Sequence, residues 1–259
     1  MVKMFGLEQK IFDQLIRLKE EYALQGVKAE FEAEGSSFRD LVRLRRITNK
    51  LNLPLYLKIG GVEAIRDIKD SLEIGVDGLI APMVESAFGL KKFIDGVASI
   101  YKDTDVHLSI NIETQKSVDS LEQILDLAKG KIDNITIGRT DLSSSYCDDK
   151  INPDSNFIFC LLEEIAESVS KSGISLTVGG SLSKKSIEIF KQNSDKWSRL
   201  INRLETRKVV FPIEVMLDKE ESIREALRFE ELYILSKKEM NDLFMESETA
   251  RLTRLKMRS

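Results

Sequence analysis

Four short segments concentrate the side chains able to do chemistry: EAEG (32–35), LKIGG (57–61), NIET (111–114) and IGRTDLS (137–143). Two carboxylates stand out in them, Glu113 and Asp141. A hard divalent cation such as Mg²⁺ or Mn²⁺ takes one or two protein carboxylates and leaves its other positions to water and a chelating substrate. Glu113 and Asp141 meet that demand only if folding brings them together. Each also has a plain structural reading as the N-cap of a following helix, where a carboxylate accepts unpaired amide hydrogens. Lys58 adds a cation, and a desolvated lysine can instead attack a carbonyl to form a Schiff base. The single histidine, His107, shares the strand face of Ser109, Asn111 and Glu113. Six residues at about 3.3 Å each place it roughly 20 Å from Glu113, so it reads as a core or barrel-floor residue.

The elements that must position these groups follow from periodicity. Residues 6–25 place Ile11, Phe12, Leu15, Ile16 and Leu18 at helical spacing, which predicts an amphipathic N-terminal helix over 1–25. VKAEFEAEG (27–35) then alternates as a strand, and Ser36-Ser37 caps a helix. Further strands are expected at 54–60, 76–83, 106–113, 132–138, 174–180 and 208–213, with helices between them. Such alternation predicts an α/β fold with a parallel sheet and helices outside, and this many units favour a closed (β/α)8 TIM-type barrel. Seven strands are legible. The eighth is expected near the N-terminus, in an atypical first unit, or is absent. No linker divides the chain, so 1–259 reads as one barrel domain with a C-terminal helical extension over 218–259. That extension runs past Met240, beyond what a barrel helix needs, and a homo-oligomer is expected to receive it. In a barrel the active site lies at the C-terminal strand ends, where all four loaded segments fall.

Composition narrows the function further. Lys and Arg total 39 against 43 Asp and Glu, a net charge of −4, so no general electrostatic pull towards nucleic acid exists. No apolar run approaches the roughly 18 residues of a membrane span, and the opening MVKMFGLEQK lacks the apolar core of a secretory signal. A cytoplasmic protein with no membrane partner is expected, and Cys147 and Cys160 are assigned no redox role. No glycine-rich phosphate-binding fingerprint occurs, and Gly60-Gly61 and Gly179-Gly180 read as strand-end turns or points of close approach.

The segment INIETQKSVDSLEQILDLAKGKIDNITIGRTDLSSS resembles the part of the HpcH/HpaI aldolase and citrate lyase family in which a strand ends in Glu and a later loop reads G-x-x-D-L-S. Upstream, VDGLIAPMVESAFGLKKFIDGV is similar to that family's P-M-V-E/D-[ST] strand, and the likeness spans about residues 26–180. The resemblance implies a class II aldolase site. Glu113 and Asp141 would hold a divalent metal, Mg²⁺ first and Mn²⁺ or Co²⁺ as alternatives, and the metal would bind pyruvate or another 2-oxo acid. Bond cleavage or formation with a carbonyl acceptor would pass through a metal-stabilised enolate. Backbone N–H groups around Gly138, Arg139 and Thr140 would take the substrate carboxylate. Asn111 stands where the family commonly carries a Gln that reaches substrate.

Three departures accompany the likeness. Gly35 stands where the family's aldolases place an acid/base His. Lys58 stands where they carry an Arg, supplying charge without a bidentate fork. The N-terminal helix occupies the place of a first strand and helix. Acid/base work therefore falls to Glu32, Glu34 or Glu85. Glu34 is preferred because residues 30, 32 and 34 share one strand face; its other reading is an ion pair with Lys58. Arg139 replaces a small residue or Pro and is expected either to select an acceptor bearing a second acidic group or to pair with an outer acid. The leading expectation is a metal-dependent carbon–carbon lyase or condensing enzyme. A barrel that keeps the metal and 2-oxo-acid pocket as a binding or assembly component is the alternative, and a Schiff-base aldolase using Lys58 is a third.

Overall fold

Apolar residues at Ile11, Leu15, Leu18 and Tyr22 line one face of helix α1 (Glu8–Tyr22), which breaks at Ala23 in a left-handed C-cap. Strands and helices then alternate in a computed structural model that describes residues 4–258. The ends of the expected terminal segments, residues 1–3 and 259, lie outside the described residues. The order is β1 (Gly26–Glu30), α2 (Phe38–Lys50), β2 (Leu55–Lys58), α3 (Ile65–Ile74), β3 (Gly78–Ala81), α4 (Ala87–Tyr101) and β4 (His107–Ile112). It continues α5 (Gln115–Asp119), α6 (Leu121–Ala128), β5 (Asn134–Gly138), α7 (Arg139–Ser144), α8 (Asn156–Ser172) and β6 (Ser175–Gly179). The last elements are α9 (Lys184–Lys191), α10 (Ser194–Leu200), β7 (Arg203–Glu205), β8 (Val209–Pro212), α11 (Ile213–Asp218) and α12 (Ser222–Lys256).

The eight strands close into a barrel in sequence order. The eighth lies at 203–205, not near the N-terminus, and it is short enough that Leu204 is its only apolar signal. The expectation of an all-parallel sheet needs one correction. β7 and β8 form a hairpin, with Leu204 opposite Phe211 and Glu205 opposite Val210, so β8 runs antiparallel to both of its neighbours. The reason is length: residues 206–208 are too few for a crossover, which needs a dozen or more residues. The hairpin turn therefore sits at the same end of the barrel as the parallel strands' C-terminal ends.

β1 also ends earlier than its alternating sequence implies. After Glu30 the chain turns, with Gly35 at φ +54° and its N–H donating to the Glu32 carbonyl at 3.0 Å. Glu32 and Glu34 therefore sit in a loop. Within the strands, Val27, Ala29, Leu55, Leu57, Ile110, Ile112, Ile135 and Ile137 are buried, while the alternate residues point into the barrel. Those interior residues are polar. Asn134 Nδ2 donates to Ser109 Oγ at 2.8 Å, and Thr177 Oγ1 donates to Asn134 Oδ1 at 2.9 Å.

Tyr56 fills the barrel floor, so closely that a Cβ on Gly78 would meet its ring at 2.6 Å. His107 packs on Tyr56 at 5.4 Å and lies 3.6 Å from Asp133, at the opposite end of β4 from Glu113. It is a floor residue, as expected. Burial lowers the His107 pKa, Asp133 opposes that and Arg203 adds to it. A folded pKa below the ordinary value of about 6.5 means the unfolded chain binds more protons. His107 thus favours the fold above that value, and its contribution is lost as pH falls through the folded pKa. NMR titration of this single histidine is expected to give a midpoint below 6.5; a midpoint above it would contradict this environment.

α12 runs 35 residues, about 52 Å at 1.5 Å per residue. Its first half packs on α1, where Gln14 Nε2 donates to the Glu225 carbonyl at 3.0 Å, and it buries Phe229 and Tyr233. Beyond Met240 it is exposed, with Leu243, Phe244, Met245, Leu252 and Leu255 open to solvent.

Candidate active site

A cavity of about 310 Å³ opens at the C-terminal ends of the strands. Lys58, Asn111, Glu113, Gly138, Thr140 and Asp141 all line it, so folding joins Glu113 and Asp141 with most of the expected set. Lys28, Glu30, Glu205, Thr206 and Arg207 complete one wall, and Glu230 reaches in from α12.

Neither carboxylate is a helix cap. Thr114 caps α5 through a capping box with Ser117, and α7 has Gly138 at its N-cap with no side-chain cap. Glu113 follows the last residue of β4 and is 2% exposed. Its Oε1 accepts from the Met83 N–H and its Oε2 from Asn111 Nδ2, both at 3.0 Å. Burial raises the Glu113 pKa; Lys58 is the largest opposing influence, and Asp141 raises it further. Asn111 Oδ1 is buried with no hydrogen-bond partner. Gly138 makes room for this arrangement, because a Cβ there would lie 2.6 Å from Glu113 Oε2.

These residues fit a divalent cation. Two hard oxygen donors share one cavity, one of them desolvated with insufficient neutralisation, and an orphaned amide oxygen sits beside it. No group of three or more His, Cys, Asp or Glu able to hold a metal occurs among the described residues, so water and substrate would complete the shell. Lys58 is half-buried and makes no side-chain hydrogen bond or ion pair among the described residues, which leaves its ammonium available to a ligand.

Three expected site residues are placed elsewhere. Arg139 is fully buried and faces outward: Nε donates to the Gly179 carbonyl at 3.1 Å, Nη2 to the Gly180 carbonyl at 2.9 Å and Nη1 to Asp154 Oδ1 at 3.0 Å. It fastens α7 to the loop after β6, as its outer-acid reading implies. Glu34 lies behind the hairpin and is gripped by Lys208, whose Nζ donates to both carboxylate oxygens at 2.9 and 2.7 Å. Its partner is therefore not Lys58, and it does not line the cavity. Glu85 is exposed outside the cavity, since the chain turns away after β3. Thr140 does line it, with its hydroxyl 2.9 Å from that of Ser181.

The groups missed from sequence are Lys28, Glu30, Glu205 and Arg207. Charged residues alternating with buried Val27 and Ala29 are the signal in β1, since a strand between a barrel interior and a helix layer has two buried faces. Lys28 and Glu205 form a buried ion pair across the interior.

Residues 58–178 match the HpcH/HpaI aldolase/citrate lyase family model. The HpcH/HpaI segment thus runs from Lys58 through Glu113 and Asp141 to Val178, and the resemblance read from NIET and GRTDLS holds. It supports an enzyme of the aldolase/citrate lyase type, in a family whose members are typically dependent on a divalent metal. No curated protein matches the chain by sequence. Solved structures are similar in fold. An HpcH/HpaI aldolase from Desulfitobacterium hafniense DCB-2 gives a TM-score of 0.59 at 16% identity, over 74% of this chain and 81% of its own. An HpcH/HpaI aldolase/citrate lyase family protein from Burkholderia cenocepacia J2315 gives 0.59 at 15%, over 86% and 97%. A structure described as citrate synthase SbnG gives 0.59 at 16%, over 91% and 90%. At such identities the similarity establishes the barrel alone. No described helix is long and apolar enough to cross a membrane.

Proposed function

We propose that this chain is a divalent-metal-dependent carbon–carbon lyase, or in reverse a condensing enzyme, acting on pyruvate or another 2-oxo acid. The observation that carries the reading is the buried Glu113 with Asp141 and Lys58 in one cavity, Lys58 making no side-chain ion pair among the described residues and neither acid serving as a cap. Glu113 and Asp141 would hold the ion. When bound, it supplies Lewis-acid polarisation of a 2-oxo acid's keto oxygen.

The chain's own residues do the rest. Asn111 fixes the Glu113 carboxylate through its Nδ2 hydrogen bond, so that group arrives already oriented. Lys58 brings an ammonium to the oxygen on which negative charge develops as a proton leaves the neighbouring carbon. The Thr140 hydroxyl supplies a polar contact for the acid end of the substrate. Arg207, exposed at the hairpin turn and lining the cavity, takes the role expected of Arg139 and favours an acceptor with a second acidic group. The exposed apolar residues of distal α12 support self-association.

The test is exchange of pyruvate methyl protons in D₂O, followed by NMR with and without Mg²⁺. Exchange above the protein-free rate that requires the metal is the expected result. Pyruvate and metal that stabilise the fold without any exchange, with Mg²⁺, Mn²⁺ or Co²⁺, would overturn it in favour of a binding component. The absence of any histidine from this cavity is the feature that favours that second reading.

A further inference from the structure

The proposed reaction needs a group that takes a proton from the carbon next to the keto group, and Gly35 leaves no histidine to do so. Most of the carboxylates lining the cavity are already committed. Glu113 is held by Met83 and Asn111, and with Asp141 it forms the cation site. Glu205 is tied to Lys28. Glu230 reaches the cavity from α12, and the cations that act on it are Arg207 and Lys208, not Lys58. Glu30 remains.

Glu30 is the last residue of β1 and is paired in register with Lys58, the last residue of β2. It is 6% exposed, lines the cavity, and makes no side-chain hydrogen bond or ion pair among the described residues. A carboxylate so buried is ordinarily paired. Here it lines the cavity in which the substrate would lie. The charged groups around it are Lys28 two residues earlier on its own strand, Lys58 on β2, Lys208 in the hairpin turn just before β8 and Glu230 on α12. Lys28 and Lys208 are engaged by Glu205 and Glu34.

We propose that Glu30 is the acid/base of this site, replacing the histidine that the chain lacks; this rests on the 2-oxo-acid reading above. In the condensing direction a Glu30 oxygen takes a methyl proton from pyruvate. The C–H electron pair becomes the C=C bond of an enolate, and the carbonyl π pair moves onto the oxygen facing Lys58. The enolate carbon then bonds to the acceptor's carbonyl carbon, and the acceptor oxygen recovers the proton from Glu30. Cleavage runs the same steps backwards. The carboxylate starts and ends ionised, so protons and electrons balance without an oxidant or reductant.

The test compares wild type, Glu30→Gln and Glu30→Asp in Mg²⁺-dependent pyruvate methyl exchange and in the thermal shift given by Mg²⁺ with pyruvate. Positioned acid/base groups contribute about 10²–10⁴-fold, so Glu30→Gln is expected to lose at least 100-fold in exchange while keeping the thermal shift. Glu30→Asp, which keeps the carboxylate, is expected to recover part of the rate. Exchange by Glu30→Gln within a few-fold of wild type overturns the proposal, as does joint loss of exchange and thermal shift in both variants. A wild type that neither exchanges nor shifts instead refutes the 2-oxo-acid reading, and the role of Glu30 falls with it.

Discussion

Glu34→Ala is expected to cost about 3–5 kcal/mol of folding stability while leaving pyruvate exchange per folded molecule unchanged. Lys208 is the reason. Its side chain is 1% exposed, its Nζ sits 4.1 Å from the Tyr233 ring centroid, and Glu34 is the carboxylate bonded to it. Burial pushes the Lys208 pKa down and Glu34 is the largest influence opposing that. Without Glu34 a buried charge has no close partner, and removing one member of such a pair costs far more than removing both. The double change Glu34→Ala with Lys208→Met is therefore expected to recover most of the loss. The linkage has a definite sign: with the folded pKa below the ordinary lysine value, the unfolded chain binds more protons. The single variant's deficit should shrink as pH rises towards that ordinary value. Urea midpoints measure all of this. A deficit under about 1 kcal/mol, or loss of exchange in fully folded variant, would contradict this role for Glu34.

Glu113→Gln has the largest expected effect on activity: metal-dependent exchange should fall to the protein-free background. The substitution keeps the size, but it leaves one acceptor oxygen where two accept from Met83 and Asn111, and it removes the ionised oxygen that a hard cation requires. Asn111→Ala should act through the same carboxylate, weakening metal affinity or activity about 10–100-fold, the usual effect of removing a residue that orients a ligand. Steady-state exchange rates against Mg²⁺ concentration separate the two, since Asn111→Ala should respond to added Mg²⁺ and Glu113→Gln should not. Full activity in Glu113→Gln would remove this carboxylate from the mechanism.

The sequence reveals most where strand and loop are both regular. NIET ends a strand whose alternate residues are buried, and GRTDLS opens a short helix, so Glu113 and Asp141 arrive in one cavity as their placement at adjacent strand ends implies. The same logic misleads at β1. VKAEFEAEG keeps alternating past the end of the strand, and only the left-handed turn at Gly35 shows that Glu34 has left the sheet. Glu30 hides because an inward-facing acid in a strand looks like ordinary alternation until the barrel closes around it. Arg139 takes the outer-acid reading over the acceptor-binding one for a geometric reason: the residue after β5 starts α7, and its side chain swings outward to Asp154 and the Gly179 and Gly180 carbonyls. The antiparallel β8 follows from loop length alone, yet the sequence hides that loop because the three residues of β7, Arg203–Glu205, carry a single apolar side chain.

The central claim is that Glu113 and Asp141 together hold a divalent cation, and calorimetric titration of Mn²⁺ tests it most directly. Wild type, Glu113→Gln and Asp141→Asn would be compared in the presence of pyruvate. Saturable binding of one ion per chain in wild type, weakened at least tenfold in each variant, is the predicted result. Equal binding by all three proteins, or no binding by wild type, would contradict the site.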